Sequence, residues 1–387
     1  MFLDMTLKRN EELVRTATLL HRNGDIPANT YVLDLDQIEE NVQALSRSAS
    51  KHGITLYYMT KQIGRSPFIG QIIEQNGIEK AVGVDIDEAT ILKSGGCRIG
   101  NLGHLVQPSN SQWKYMLNEL QPEVVTLFSY ERAQQLSKAA LELERRQDVI
   151  LRVIKPSDQV FPGQFGGFLL KELDDEIKRL ITLPGIRVIG ITSFPVFQLN
   201  EEKDGMDFTS NIQTLSKAKS ILEQHNLEVL QVNAPSATSC YTMPLLKEKG
   251  VTHGEPGHAI TGTTPLHAFR EDLAEVPSMV YVSEISHMDQ DFAYTIAGGF
   301  YARGNMESAL YGSEETTLLT QRAKTALVSP ENIDYYGALE KRENMNVGDT
   351  VVYAFRTQIF VTRAHVAFVR GVRTSSPEVV YFQKRGL

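Results

Sequence analysis

Two cysteines in 387 residues, Cys97 and Cys240, are too few for a disulfide framework or a multi-thiolate zinc centre. Basic side chains are in deficit. Thirty-nine Lys and Arg stand against 47 Asp and Glu, a net charge of −8 with no basic tail, which excludes a general binder of phosphate backbones. No run of about 18 apolar residues exists, so no transmembrane helix is expected. The start of the chain, Met1 to Asn10, turns charged too soon to hold a signal core. A reducing cytoplasm is the expected compartment, and no short repeat or low-complexity tract interrupts the sequence. What remains is a globular composition, 42 % hydrophobic and 22 % charged, long enough for a large core and for roughly two to three domains. Net acidity still permits one anion pocket, because backbone N–H groups bind phosphate locally.

Residues 1–29 read as a helical leader, with Leu13, Val14, Leu19 and Leu20 near helical spacing and a stop at Asn23-Gly24. Tyr31 to Leu35 is a strand candidate, followed by a helix that the Asp36-Gln37-Ile38-Glu39 step opens. Apolar strands then alternate with helices: Ile54 to Met59, Ala81 to Val84, Val124 to Phe128, Val149 to Ile154 with a single arginine, Val188 to Ser193 and Val229 to Asn233. Strands apolar on both faces, separated by helices, indicate a parallel sheet covered by helices, and their number favours closure into a (β/α)8 TIM-type barrel over residues 30–270. After Pro277 the texture is β-rich: Met279 to Ser283, Tyr294 to Ile296, Thr350 to Phe355 and His365 to Val369, with a turn at Asn346 to Asp349. Residues 271–387 therefore read as a mostly β C-terminal domain.

In parallel α/β architectures ligand chemistry collects at the C-terminal ends of strands. Lys61 emerges there, after Ile54 to Thr60. An amine partly desolvated among Tyr57, Met59 and Ile63 can form an imine with a carbonyl, and the plain alternative is a solvated loop lysine. A second candidate is Thr252-His253-Gly254-Glu255-Pro256-Gly257-His258 with Thr261-Gly262-Thr263-Thr264-Pro265, whose glycines and hydroxyls suit a phosphate cradle or an ordinary turn. No metal is expected on His253, Glu255 and His258, because Gly254, Pro256 and Gly257 deny the helix that an H-x-x-x-H pair needs. Asn233 to Ser239, just after a strand, offers phosphate donors or plain helix caps.

Tyr31-Val32-Leu33-Asp34, Lys61 after its strand, Val84 to Gly95 and Gly103-His104-Leu105-Val106-Gln107 resemble the alanine racemase-like, fold-type III pyridoxal-phosphate enzymes. The whole chain resembles the bacterial YhfX family within that group. The resemblance implies pyridoxal 5'-phosphate as cofactor, Lys61 as its Schiff-base lysine, and a homodimer whose site is completed across the interface. Glu255-Pro256-Gly257 is similar to the motif of group IV decarboxylases, where the glutamate contacts the pyridine nitrogen and favours a quinonoid intermediate. His258 stands where those enzymes carry a phosphate-binding arginine. Cofactor contacts are therefore expected from Ser236, Thr238, Gly257, His258, Gly262 and His104. The ring-stacking histidine is missing near Thr192 to Pro195, leaving Ser193 or Phe194, and Phe161 to Phe168 holds no carboxylate-binding arginine.

The implied activity is a reaction at Cα of a small-molecule amino acid, with racemisation or epimerisation favoured. Amino-acid decarboxylation, a D-hydroxy-amino-acid lyase and a non-catalytic pyridoxal-phosphate carrier are the alternatives. A racemase needs an acid/base on each face of the carbanion. Lys61 serves one, and Tyr301, Tyr294 or His287 from the neighbouring subunit the other. Tyr301 leads, because Phe300-Tyr301-Ala302-Arg303-Gly304 sets a proton donor beside an arginine, although the same residues suit a plain hairpin.

Overall fold

A computed structural model describes residues 1–326, 331 and 333–385. The chain forms two compact units, Val42–Thr60 with Arg65–Gly257, and Met1–Asn41 with Lys61–Gly64 and His258–Leu387. Helix α1 (Phe2–Arg22) and strand β1 (Thr30–Asp34) belong to the latter. Helix α2 (Leu35–His52) starts where the Asp34 carboxylate accepts the Gln37 N–H at 3.1 Å. Asp34 thus does the capping expected of Asp36, whose own carboxylate accepts from Arg370 and the Gly371 N–H.

The unit of Val42–Thr60 and Arg65–Gly257 is a closed parallel barrel. Its strands are β2 (Thr55–Met59), β3 (Lys80–Gly83), β4 (Ile99–Leu102), β5 (Val124–Leu127) and β6 (Gln147–Ile154), extended by the short β7 (Phe168–Leu169); then β8 (Ile186–Thr192). A side hairpin of β9 (Phe197–Leu199) and β10 (Met206–Phe208) precedes β11 (Gln231–Asn233) and β12 (His253–Gly254). The ring runs β5-β4-β3-β2-β12-β11-β8-β6 and closes from β6 back to β5. Residues such as Val124 to Leu127 are buried on both faces, which is why these strands read as unbroken apolar runs. Helices begin on local signals: Pro67 in the first turn of α3 (Pro67–Gln75), and Asp85 capping α4 (Ile86–Ser94) through the Glu88 N–H at 2.7 Å.

In the other unit, β1 lies between β13 (Met279–Met288), antiparallel, and β19 (His365–Arg370), parallel. The sheet continues through β14 (Phe292–Ile296), β15 (Ser308–Gly312), β16 (Arg322–Lys324), β17 (Tyr336–Glu340), β18 (Thr350–Tyr353) and β20 (Glu378–Gln383). Leu13, Val14, Ala17 and Leu20 of α1 pack on Val32, Val280, Val282, Leu310, Val352 and Val369. The helix kinks at Asn10, whose amide donates to Asp34 and to the Pro277 carbonyl, both at 3.0 Å.

The stretch 30–270 expected for the barrel therefore divides differently. The strand at Tyr31 pairs with β13 and β19 rather than with barrel strands, and the two-residue β12, which sequence alone showed only as a loop, completes the ring. A fully buried strand has the same apolar signature inside a barrel as inside an open sheet. Among the described residues no helix is long and apolar enough to cross a membrane.

Candidate active site

Polar side chains converge inside the C-terminal mouth of the barrel. Asn101 on β4 donates to Glu255 Oε1 at 2.9 Å, and Asn233, the last residue of β11, donates to the same oxygen at 2.7 Å. Their strands stand four apart in an eight-strand ring, on opposite sides, so the shared acceptor lies in the lumen. The Thr126 hydroxyl donates to Asn101 Oδ1 at 2.8 Å and thereby fixes which end of that amide faces Glu255. Glu255 is 5 % exposed and follows β12 directly. Its Oε2 lies 3.8 Å from His104 Nε2, and the His104 ring meets Phe194 edge-on at 5.7 Å. Of the two candidates for the ring-stacking place, Phe194 packs against His104 and Phe161, whereas the Ser193 hydroxyl accepts from Asn211 at 3.4 Å.

The segment entering Lys61 is anchored from below. Thr60 donates to Glu88 Oε1 at 2.6 Å and the Val84 N–H donates to Oε2 at 2.8 Å, so the Val84-Asp85-Ile86-Asp87-Glu88 motif spends its glutamate on the residue before the lysine. Burial pushes the Glu88 carboxyl up to about 7 from 4.5, against the opposing pull of those bonds. The folded state thus keeps a proton that the unfolded chain releases near 4.5, so this group's contribution to stability is complete below that pH and is lost as the pH rises through about 7. The melting temperature of the wild-type protein should therefore carry a downward slope across that window that Glu88→Gln lacks. Equal slopes in a differential scanning series would contradict the assignment.

Lys61 itself is 8 % exposed, and its carbonyl accepts the Phe360 N–H at 3.1 Å within its own unit. His258 belongs to the same unit. Burial, then the positive charges of Arg356, Lys61 and His267, hold its imidazole far below the usual histidine range, so it stays neutral. Its Nε2 is buried with no hydrogen-bond partner. The Thr261 hydroxyl and the Thr263 N–H both bind the His258 carbonyl, at 3.2 and 2.8 Å, which commits this part of the expected cradle to closing its own turn. Gly262 makes the turn possible at φ +61°, and a Cβ there would stand 2.3 Å from the Val276 backbone. Gly262→Ala should lower stability by about 2 kcal/mol or more, read as a lower melting temperature, since backbone cannot yield as a side chain can.

The loop after β11 separates two hydroxyls that the sequence treated alike. Ser236 donates to the Phe197 carbonyl at 3.2 Å and accepts from its N–H at 3.3 Å, so its only proton is spent on β9. Thr238 accepts the Glu255 N–H at 3.1 Å and keeps its own O–H to give elsewhere. Gly257 is buried two residues beyond Glu255. In the C-terminal sheet, Tyr301 sits in a turn whose Gly304 carbonyl accepts the Arg356 N–H at 3.3 Å, and its side chain lies near the Arg356 guanidinium. Tyr294 and His287 lie elsewhere, stacked at 4.8 Å on the β13–β14 hairpin, with the Tyr294 hydroxyl given to Asp289 at 2.7 Å. Sequence reasoning passed over Asn101, Thr126 and Glu88, and noticed Arg152 only as an oddity in an apolar run. The signal for all four was a polar residue where the strand or helix face had to be buried.

A buried carboxylate fixed by two amides at a barrel mouth suits the protonated nitrogen of a pyridine ring, and a lysine amine suits an imine with an aldehyde. His253, on β12, is buried. Burial holds it neutral, down to about 4, and its Nδ1 faces Thr252 Oγ1 at 2.8 Å.

Residues 33–265 match the alanine racemase N-terminal domain family, and residues 280–379 match the YhfX-like C-terminal domain. The sequence is 38 % identical over 380 residues to protein YhfX of Escherichia coli (strain K12), covering 98 % of this chain and 97 % of that one. Among solved structures, alanine racemase of Clostridium difficile 630 in complex with cycloserine aligns with a TM-score of 0.66 at 14 % identity, covering 92 % of this chain and 98 % of that one. D-threonine aldolase from Filomicrobium marinum aligns at 0.63 and 14 %, covering 93 % and 95 %, and D-threo-3-hydroxyaspartate dehydratase at 0.69 and 14 %, covering 95 % and 98 %. Likeness at such identities speaks for the fold alone. The matches along the sequence go further: the chain belongs to the alanine racemase-like family of pyridoxal-phosphate-dependent proteins and carries that family's YhfX-like C-terminal domain.

Proposed function

We propose that the protein transforms an amino acid at Cα with the help of pyridoxal phosphate, racemisation or epimerisation being the favoured outcome. The observation that carries this reading is the Glu255 carboxylate, held in the barrel lumen by Asn101 and Asn233. When bound, pyridoxal phosphate supplies an aldehyde for an amine and a ring that draws electrons from Cα. Lys61 would hold the cofactor through its ε-amine and move the Cα proton on one face. Glu255 would keep the ring nitrogen protonated, as an opposite charge does, and the amides keep its carboxylate aimed. Thr238 and the backbone N–H groups near Gly257 would bind the phosphate. For the opposite face, the reading assigns Tyr301 of a second copy of the chain, in a homodimer.

Decarboxylation is the second reading, favoured by the same Glu255, because a stronger electron sink serves the loss of carbon dioxide as well as the loss of a proton. The test is incubation of the cofactor-loaded protein with D- and L-amino acids in deuterium oxide. Loss of the Cα–H signal by NMR together with inversion is the expected result. Carbon dioxide release without inversion moves the assignment to decarboxylation. Neither change with any amino acid, from protein that binds the cofactor, overturns both readings and leaves a carrier.

A further inference from the structure

A second charge lies buried in the barrel, and among the described residues no acid answers it. Arg152 stands third from the end of β6 and is 1 % exposed. Its Nη2 donates to the Gln164 carbonyl at 2.6 Å, and its guanidinium lies 4.8 Å from the centre of the Phe128 ring. Its Nε is buried without a hydrogen-bond partner, and among the described residues no carboxylate forms an ion pair with it. Burial alone acts on its basicity, lowering it to about 10, where a neighbouring acid would have opposed the fall. At neutral pH the group is still a cation.

Strand register fixes where it points. Arg152 pairs with Thr192 across β6 and β8, and Thr192 pairs with Asn233 across β8 and β11. Register partners in a parallel ladder share a face, and Asn233 points into the lumen. Arg152 and Thr192 therefore project into the lumen as neighbours at the level of Asn233. The Thr192 hydroxyl is also buried without a partner. Over them lies the segment Gln164 to Gly167: a Cβ on Gly166 would stand 3.3 Å from the Phe128 ring, and one on Gly167 2.8 Å from the Arg152 carbonyl.

A buried, unpaired guanidinium beside an unpaired hydroxyl is costly to fold and is answered by an anion. We propose that Arg152 and Thr192 form an oxyanion site in the barrel wall that takes a carboxylate of the substrate. The site rests on the reading above only for the carrier of that carboxylate, an amino acid. A planar carboxylate matches the geometry, since one guanidinium edge and one hydroxyl supply two or three donors on one side. A phosphate dianion wants donors around three oxygens, and the loops near Thr238 and Gly257 provide that kind of surface instead.

Arg152→Met keeps length and apolar contact while removing the charge, and Thr192→Val removes only the hydroxyl. The full-length protein, freed of cofactor, would be titrated with propionate, succinate and inorganic phosphate, followed by thermal melting and calorimetry. Both carboxylates should raise the wild-type melting temperature, and Arg152→Met should weaken their binding about tenfold or more, a loss of roughly 1.4 kcal/mol or greater. Without any anion this variant should melt no lower than wild type, because it loses an unanswered charge. Thr192→Val should weaken both carboxylates to a smaller degree, and it carries the test if Arg152→Met fails to fold. A loss confined to succinate would assign the site to a side-chain carboxylate, and a loss for both to the carboxylate on Cα. Unchanged carboxylate binding in both variants, or a loss for phosphate alone, overturns the proposal. Carboxylate binding that depends on Arg152 in a protein that never exchanges a Cα proton would sink the functional reading and leave this site standing.

Discussion

Lys61→Ala is expected to lower Cα–H exchange about 10³-fold or more while leaving the fold intact. Two separable losses combine in that figure. On the proposed reading the variant loses the amine that attaches the cofactor, and with it an acid/base group of a kind that contributes about 10²–10⁴-fold. The bond from the Lys61 carbonyl to the Phe360 N–H belongs to the backbone and survives the substitution, and Thr60 bonds Glu88 through its own hydroxyl. The readouts are independent of turnover as well as dependent on it. Borohydride followed by peptide mapping should label wild-type Lys61 with the pyridoxyl group and leave the variant unlabelled there. Added methylamine should restore part of the exchange, because a small amine can take the place of the missing one. Full activity in the variant, or labelling of a different lysine in the wild type, would remove Lys61 from its role.

The sequence made some of this legible and hid the rest for physical reasons. Val124 to Leu127 and Val149 to Ile154 are buried on both faces, so their type and the parallel barrel followed from apolar runs between helices. Lys61 stood out by its position, two residues past β2, but its proposed role came from the family resemblance. The identity of the first and last barrel strands was not legible. Tyr31 to Asp34 is as buried as any barrel strand yet pairs with β13 and β19, and β12 is only two residues long. In the β-rich domain, β15, β16, β17 and β20 went unread because none is longer than six residues and small or charged residues break up their apolar positions, as in Arg322–Lys324 and Tyr336–Glu340. Asn101 and Thr126 were invisible for another reason. A polar residue in a four-residue apolar strand shows its meaning only once the ring closes and its face becomes the lumen. The same closure turns Arg152 from an oddity into a neighbour of Thr192.

Glu255 carries a structural load and, on the proposed reading, a chemical one, and two substitutions should pull them apart. Glu255→Ala deletes the common acceptor of Asn101 and Asn233, leaving two buried amide donors unanswered in the lumen. At about 1–3 kcal/mol for each buried donor left unsatisfied, the variant should lose roughly 2–6 kcal/mol and melt well below wild type. Glu255→Gln keeps an oxygen where both amides need it, so its melting temperature should stay closer to that of wild type. Its charge, however, is gone. With no carboxylate beside it, the ring nitrogen loses the partner that favours its protonated form, and Cα–H exchange should fall about 10²–10³-fold, the scale on which one buried electrostatic group matters in catalysis. The cofactor should still attach to Lys61 and still be trapped there by borohydride, because the aldehyde reacts with the amine whatever the state of the ring nitrogen. An exchange rate in Glu255→Gln equal to wild type would mean that the carboxylate serves the barrel alone, and that the electron sink for this chemistry is set by some other group.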